Sequence, residues 1–147
     1  MSAFVLDAST AISWCFQESD TSYTRAVADA LARGAEVYVP HVWPLEVTNV
    51  LLKFLRQRKI TREEFDEYLR QLETLGVRVD SEEVADRAFG TTLALAIRHQ
   101  LTSYDASYLE LARRLSLPMA TADRNLLQAA RQTRTPLFAP EGASPLQ

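Results

Sequence analysis

Four carboxylates carry the chemistry that this sequence suggests: Asp7, Glu46, Asp105 and Asp123. Asp7 closes the apolar run Phe4-Val5-Leu6, and open α/β sheets place their ligands at the carboxyl ends of such strands. Asp123 follows a second short run, Leu117–Thr121, while Glu46 and Asp105 stand near the starts of helices that must pack on the same sheet. If the strands are parallel, all of these positions fall at one edge. Carboxylates crowded together repel and raise one another's pKa values, and fold stability alone does not call for that. A divalent cation relieves the repulsion, and hard oxygen donors select Mg²⁺ or Mn²⁺. Metal-bound carboxylate clusters commonly act on phosphodiesters: one ion lowers the pKa of a water and aims it, and another stabilises the leaving oxygen. Ser9, Asn49 and Thr121 are the neighbours expected to orient the acids.

Taken singly, these residues have plainer roles. Asp7, Asp105 and Asp123 all lie near expected helix starts, where carboxylates complement the macrodipole and cap free N–H groups. Ser9 or Thr10 can cap the helix after Asp7, Thr121 can simply end a strand, and Asn49 can be a solvated helix position. Glu46 is harder to set aside. It sits between His41-Val42-Trp43-Pro44-Leu45 and Val47, and a lone carboxylate buried in apolar surroundings is costly.

The elements that position these residues follow from periodicity and punctuation. Short strands are expected at Phe4–Leu6, Glu36–Val39, Val77–Val79, Leu117–Thr121 and Pro136–Ala139. Helices are expected at Ala11–Glu18, Ser22–Arg33, from Pro44 to about Gln57, from Thr61 to Gly76, over Ser81–Arg98, and after Asp105 and Asp123. Thr61 and Glu64 have the spacing of a capping box. In the Ser81–Arg98 helix, Val84, Ala85, Ala88, Phe89, Leu95 and Ala96 read as the inward face, with Gly90 a local weak point. Tyr108, Leu109, Leu111 and Leu115 form the apolar face of the helix that Asp105 opens. Strands alternating with helices indicate a parallel sheet covered on both faces, joined by right-handed crossovers.

The chain has 147 residues, 47% of them hydrophobic and 24% charged, which suits one soluble domain with a proper core. We expect that domain over residues 1–139 and a flexible tail over 140–147. Cys15 is the one cysteine, so neither an internal disulfide nor a cysteine metal cluster is open to the chain. No secretory leader or membrane-spanning run is visible, so a cytoplasmic location is expected. The net charge of −3 argues against holding nucleic acid by bulk charge, but not against a nuclease whose acids are neutralised by metal. Two basic regions can meet phosphates: Lys53, Arg56, Arg58, Lys59 and Arg62, then Arg113, Arg114, Arg124, Arg131 and Arg134. Each can equally be a solvated face. Trp14, Phe16 and Trp43 can stack a base or simply pack the core.

Four segments together resemble the PIN-domain ribonucleases, and among them the VapC-like toxins of type II toxin–antitoxin pairs. They are Val5–Ser9, Glu46–Leu51, Thr102–Ala112 and Ala120–Leu126, in the family's order. The resemblance implies a three-layer α/β/α sandwich on a short-stranded, mainly parallel five-stranded sheet, and Mg²⁺- or Mn²⁺-dependent endoribonuclease activity. It implies that Asp7, Asp105 and Asp123 face the metal and that Glu46 acts directly or through water. It further implies an RNA substrate, a homodimer, and a small VapB-like antitoxin whose tail covers the site. Two other readings stand beside it. A haloacid-dehalogenase-type phosphatase also ends a strand in Asp, but wants a second Asp two residues on, where this chain has Ser9. A non-catalytic interaction domain on the same fold is the other.

Overall fold

The computed structural model describes residues 2–16, 20–82 and 84–140. Four strands form one parallel sheet: β1 (Ala3–Leu6), β2 (Glu36–Val39), β3 (Arg78–Val79) and β4 (Met119–Ala120), in the order β3-β2-β1-β4. Eight helices connect and cover them among the described residues: α1 (Ala8–Ser13), α2 (Ser22–Ala32), α3 (Trp43–Arg56), α4 (Arg62–Glu73), α5 (Val84–Phe89), α6 (Thr91–His99), α7 (Ser103–Leu115) and α8 (Arg124–Gln132). Helix contacts fall into two sets, α1 to α4 and α5 to α8. Under the right-handed rule for parallel crossovers, the two crossovers leading one way from β1 and the one returning past it place these sets on opposite faces. The result is the expected α/β fold with helices flanking a parallel sheet.

The strands are short because both faces are buried and each is needed only to cross the core. Phe4, Val5 and Leu6 are completely buried, as are Val39, Met119 and Ala120. Such continuous apolar runs are what a parallel sheet covered on both sides demands. Phe4 stacks on Phe138 at 4.0 Å between ring centroids, which closes the core at the last edge.

Three expectations need correction. The fifth strand at Pro136–Ala139 shrinks to a single bridge of Leu137 to Met119, so the sheet has four strands among the described residues. Its two ladder bonds, Met119 N–H to Pro136 and Phe138 N–H to Met119, measure 2.9 and 2.7 Å. The helix after Asp7 begins at Ala8 rather than Ala11, so Ser9 and Thr10 lie inside it and cap nothing; the expected end at Glu18 falls outside the described residues. The helix expected over Ser81–Arg98 is two helices broken at Gly90, whose φ of −115° and ψ of −105° are not helical. A Cβ at Gly90 would meet the Asp86 carbonyl oxygen at 2.9 Å, so the break itself requires glycine. The break turns only part of the expected inward face outward: Phe89 is 82% exposed, and Ala85 and Ala88 are exposed too, while Ala96 is buried and Leu95 packs against the core. Residues 141–147 of the expected tail lie outside the described residues.

Candidate active site

From β1 the chain passes to β2 and β3 on one side and later returns to β4 on the other. The crevice between β1 and β4 is therefore the topological switch point, where parallel sheets open to ligands. Asp7 and Thr121 are the first residues beyond the two strands that flank it.

Asp7 is only 4% exposed. It holds the N-cap position of α1 but makes no side-chain capping bond, so the cap explanation fails for this acid. Its Oδ2 instead accepts from the Thr121 hydroxyl at 2.8 Å and from the Ser9 hydroxyl. The Asp7 N–H continues the β1–β4 ladder by donating to Ala120 O at 3.0 Å, which fixes the carboxyl at the strand ends. Burial pushes the Asp7 carboxyl up to about 6; the two hydroxyls pull the other way, and the charges of Asp105 and Asp123 push it further up.

Asp105 and Asp123 come from two helix starts. Thr102 caps α7, and its Oγ1 accepts the Asp105 N–H at 3.0 Å. Asp105 is thereby freed from capping. Its carboxyl is raised by partial burial and by the Asp123 charge, against a lowering hydrogen bond from Thr102. Asp123 is itself the cap of α8, its Oδ2 accepting from the Leu126 N–H at 2.9 Å. The cap explanation is correct for Asp123 as far as one oxygen goes, and the other oxygen is not used by that bond. The Asp123 N–H donates to Thr121 Oγ1 at 3.0 Å, so Thr121 links Asp123 to Asp7.

Glu46 reaches the edge from the first turn of α3. Pro44 near the helix start leaves no N–H to satisfy there. Glu46 is half-buried, and its Oε1 accepts from the Tyr108 hydroxyl at 2.7 Å. Burial raises its carboxyl, the Tyr108 bond lowers it, and the Asp105 charge raises it again. The charges felt by Asp7, Asp105 and Glu46 across this edge are thus those of other carboxylates.

The residues expected to orient the acids divide. Ser9 and Thr121 touch Asp7. Asn49 is exposed and hydrogen-bonds to none of the four acids among the described residues; it lines an open groove of about 510 Å³ with Glu46, Leu45, Leu52 and Tyr104. The aromatic candidates are packed away: Trp43 is 4% exposed, Trp14 donates to Thr24 O at 2.7 Å, and Phe16 packs on Phe54 and Tyr68. Tyr104, 58% exposed and next to Asp105, is the aromatic that sequence reasoning missed. In the basic regions, Arg114 is taken up by Glu110 and Asp80, whereas Arg56, Arg58, Lys59, Arg124 and Arg131 are exposed.

Does this edge suit a metal? Among the described residues, no three His, Cys, Asp or Glu side chains are drawn close enough to cage one ion. The donors are all hard carboxylate oxygens, and those of Asp7, Glu46 and Asp105 are raised. Mg²⁺ binds through one or two carboxylates and keeps several waters, so the edge fits a hydrated Mg²⁺ or Mn²⁺ rather than a fully liganded ion. Position 9, where phosphatase chemistry wants an acid, holds a serine that donates to Asp7.

Comparison with known proteins adds two findings. The family model of the PIN domain matches residues 4–132. The crystal structure of PAE2754 from Pyrobaculum aerophilum is similar in fold, with a TM-score of 0.64 at 21% identity over 97% of this chain and 90% of that one. No curated protein matches the sequence. Among the described residues, no helix is long and apolar enough to cross a membrane.

Proposed function

This chain belongs to the PIN domain family, and we propose that it is a Mg²⁺- or Mn²⁺-dependent endoribonuclease. PIN domains are generally nucleases and typically use divalent metals, which sets the reaction class. The observation that carries the proposal is Asp7: a carboxylate 4% exposed, pressed by the charges of Asp105 and Asp123, with hydroxyls rather than a cation against it. A group so placed is destabilised until a cation arrives.

In this reading Asp7, Asp105 and Asp123 hold the ion, and Glu46 meets it directly or through water. The bound ion would supply positive charge that acidifies a water and offsets charge on the phosphate. Ser9 and Thr121 fix the Asp7 carboxylate, and Thr121 also ties down the Asp123 backbone, so the acids keep their spacing when charge enters. Exposed Arg56, Arg58, Lys59, Arg124 and Arg131 offer contacts to RNA phosphates.

The toxin role, a VapB-like antitoxin covering the site, a homodimer and a cytoplasmic location belong to the same proposal. They rest on the VapC-like segments around Asp7, Glu46, Asp105 and Asp123. Phe89 and Ile97, 82% and 72% exposed, give a homodimer apolar surface to bury.

The test is cleavage of an end-labelled RNA pool by the purified protein with Mn²⁺, Mg²⁺ or EDTA, beside Asp7→Asn. Metal-dependent cutting that the variant lacks is expected. Equal cutting by the variant, or cutting in EDTA, overturns the proposal.

A further inference from the structure

Tyr108 is the largest of the fully buried side chains, and its place in the apolar stripe of α7 suggests nothing beyond packing. Its hydroxyl nevertheless ends at the acid edge. It donates to Glu46 Oε1 at 2.7 Å.

That bond joins two elements that supply acids. Glu46 rises from α3 in one helical layer, and Tyr108 lies one turn after Asp105 on α7 in the other. The sheet does not connect α3 to α7 at this edge; the Tyr108–Glu46 bond does. Among the described residues, Glu46 accepts no other hydrogen bond, and no lysine or arginine forms a salt bridge with it. A glutamate side chain with three rotatable bonds is thereby held by a single donor.

We infer that Tyr108 is a positioning residue: its hydroxyl holds Glu46 Oε1 and sets the direction of the Glu46 carboxylate toward the other acids. The inference rests on the proposed metal-dependent reading, in which Glu46 acts on the ion directly or through water. Tyr108 touches neither ion nor RNA; it acts through Glu46.

A double-mutant cycle on the full chain tests this, with Tyr108→Phe, Glu46→Gln and the pair. Three quantities are read for each: the Kd for Mn²⁺ alone by calorimetry, kcat and KM on an oligoribonucleotide, and the melting temperature. Phe keeps the buried ring. We expect Tyr108→Phe to weaken Mn²⁺ binding or kcat by about 10–100-fold, the range for removing such an outer partner, with KM for RNA nearly unchanged. The pair is expected to be no worse than Glu46→Gln alone, because both changes remove one function. A Phe variant equal to the parent, or losses that multiply in the pair, overturns the inference. Glu46→Asp guards against a Phe variant that does not fold: it keeps a carboxylate but withdraws it from the hydroxyl. A comparable loss is expected, and full Mn²⁺ affinity and kcat in Glu46→Asp overturn the inference. A parent that neither binds Mn²⁺ nor cuts RNA removes the metal-dependent reading and this inference with it. A parent that does both beside an unaffected Phe variant removes this inference alone.

Discussion

Two ends of α7 handle buried acids in opposite ways. At its start Asp105 faces Asp7, Asp123 and Glu46, and carboxylates press on carboxylates. Toward its far end Glu110 is just as buried, 6% exposed against 4% for Asp7, but Arg114 and Arg87 meet it at 2.9 and 3.2 Å. Arg114 also pairs with Asp80 beyond β3 at 2.5 Å, and Arg87 with Glu82 at 3.0 Å. The Glu110 bond, ahead of its other partners, raises the Arg114 guanidinium still higher, so it stays charged. The second cluster carries its own counter-ions and ties α5, α7 and the end of β3 together. Among the described residues the first supplies none, which is what the proposed metal-dependent reading requires. Burial of an acid, by itself, says nothing of function; the sign of the nearest charge does.

That comparison breaks first on activity. Asp7→Asn is expected to cut RNA cleavage by about 10³-fold or more, beyond the 10–100-fold typical of an outer partner. A fixed-time assay on the RNA pool checks it. Next, the same kind of change at the compensated end should unfold rather than inactivate. Glu110→Ala leaves two partly buried arginines short of an acid, at a cost of about 3 kcal/mol, or roughly 10 °C in melting temperature. A melt with unchanged midpoint would mean the network contributes nothing.

Charge removal at the acid edge should act in the other direction. The Asp7 carboxyl sits near 6 folded against 3.8 as its ordinary value. The folded chain therefore binds more protons than the unfolded one between these values, and stability falls as pH rises through that window. Metal-free Asp7→Asn is expected to be more stable than metal-free parent at pH 7.5, by about 3 kcal/mol, and to melt higher. The advantage should shrink below pH 6 and vanish near pH 4. Saturating Mn²⁺ should raise the parent's melting temperature and not the variant's. The smallest effect belongs to Thr121→Val, which removes one hydroxyl from Asp7 and costs about 1 kcal/mol at neutral pH. It should also move the pH midpoint of the parent's stability loss upward, since a bond to the charged form is gone.

The local elements and the order of the acids could be read from the residues alone. The Thr61–Glu64 capping box is present with both bonds, Glu36–Val39 is a strand to the residue, and α3 spans 14 residues where the apolar spacing requires it. Such signals act within a turn or two of backbone, so they survive without tertiary context. Asp7 and Asp123 stood out for a similar reason, since a carboxylate just after an apolar run is conspicuous in one dimension, and Glu46 and Asp105 through their places near helix starts. Features that depend on partners far apart in the chain emerge only from packing between layers. Gly90 breaks a helix because the chain must turn to keep α6 against α7, and no window of residues contains that requirement. Leu137 forms one bridge instead of a strand because a last edge with a single neighbour gains few ladder bonds. Arg114 reads as a free basic residue until Asp80, 34 positions away, closes on it. Tyr108 reads as core until its hydroxyl meets Glu46, 62 positions away. Periodicity reports which side of a helix is buried; which polar atom waits there is set by packing between layers.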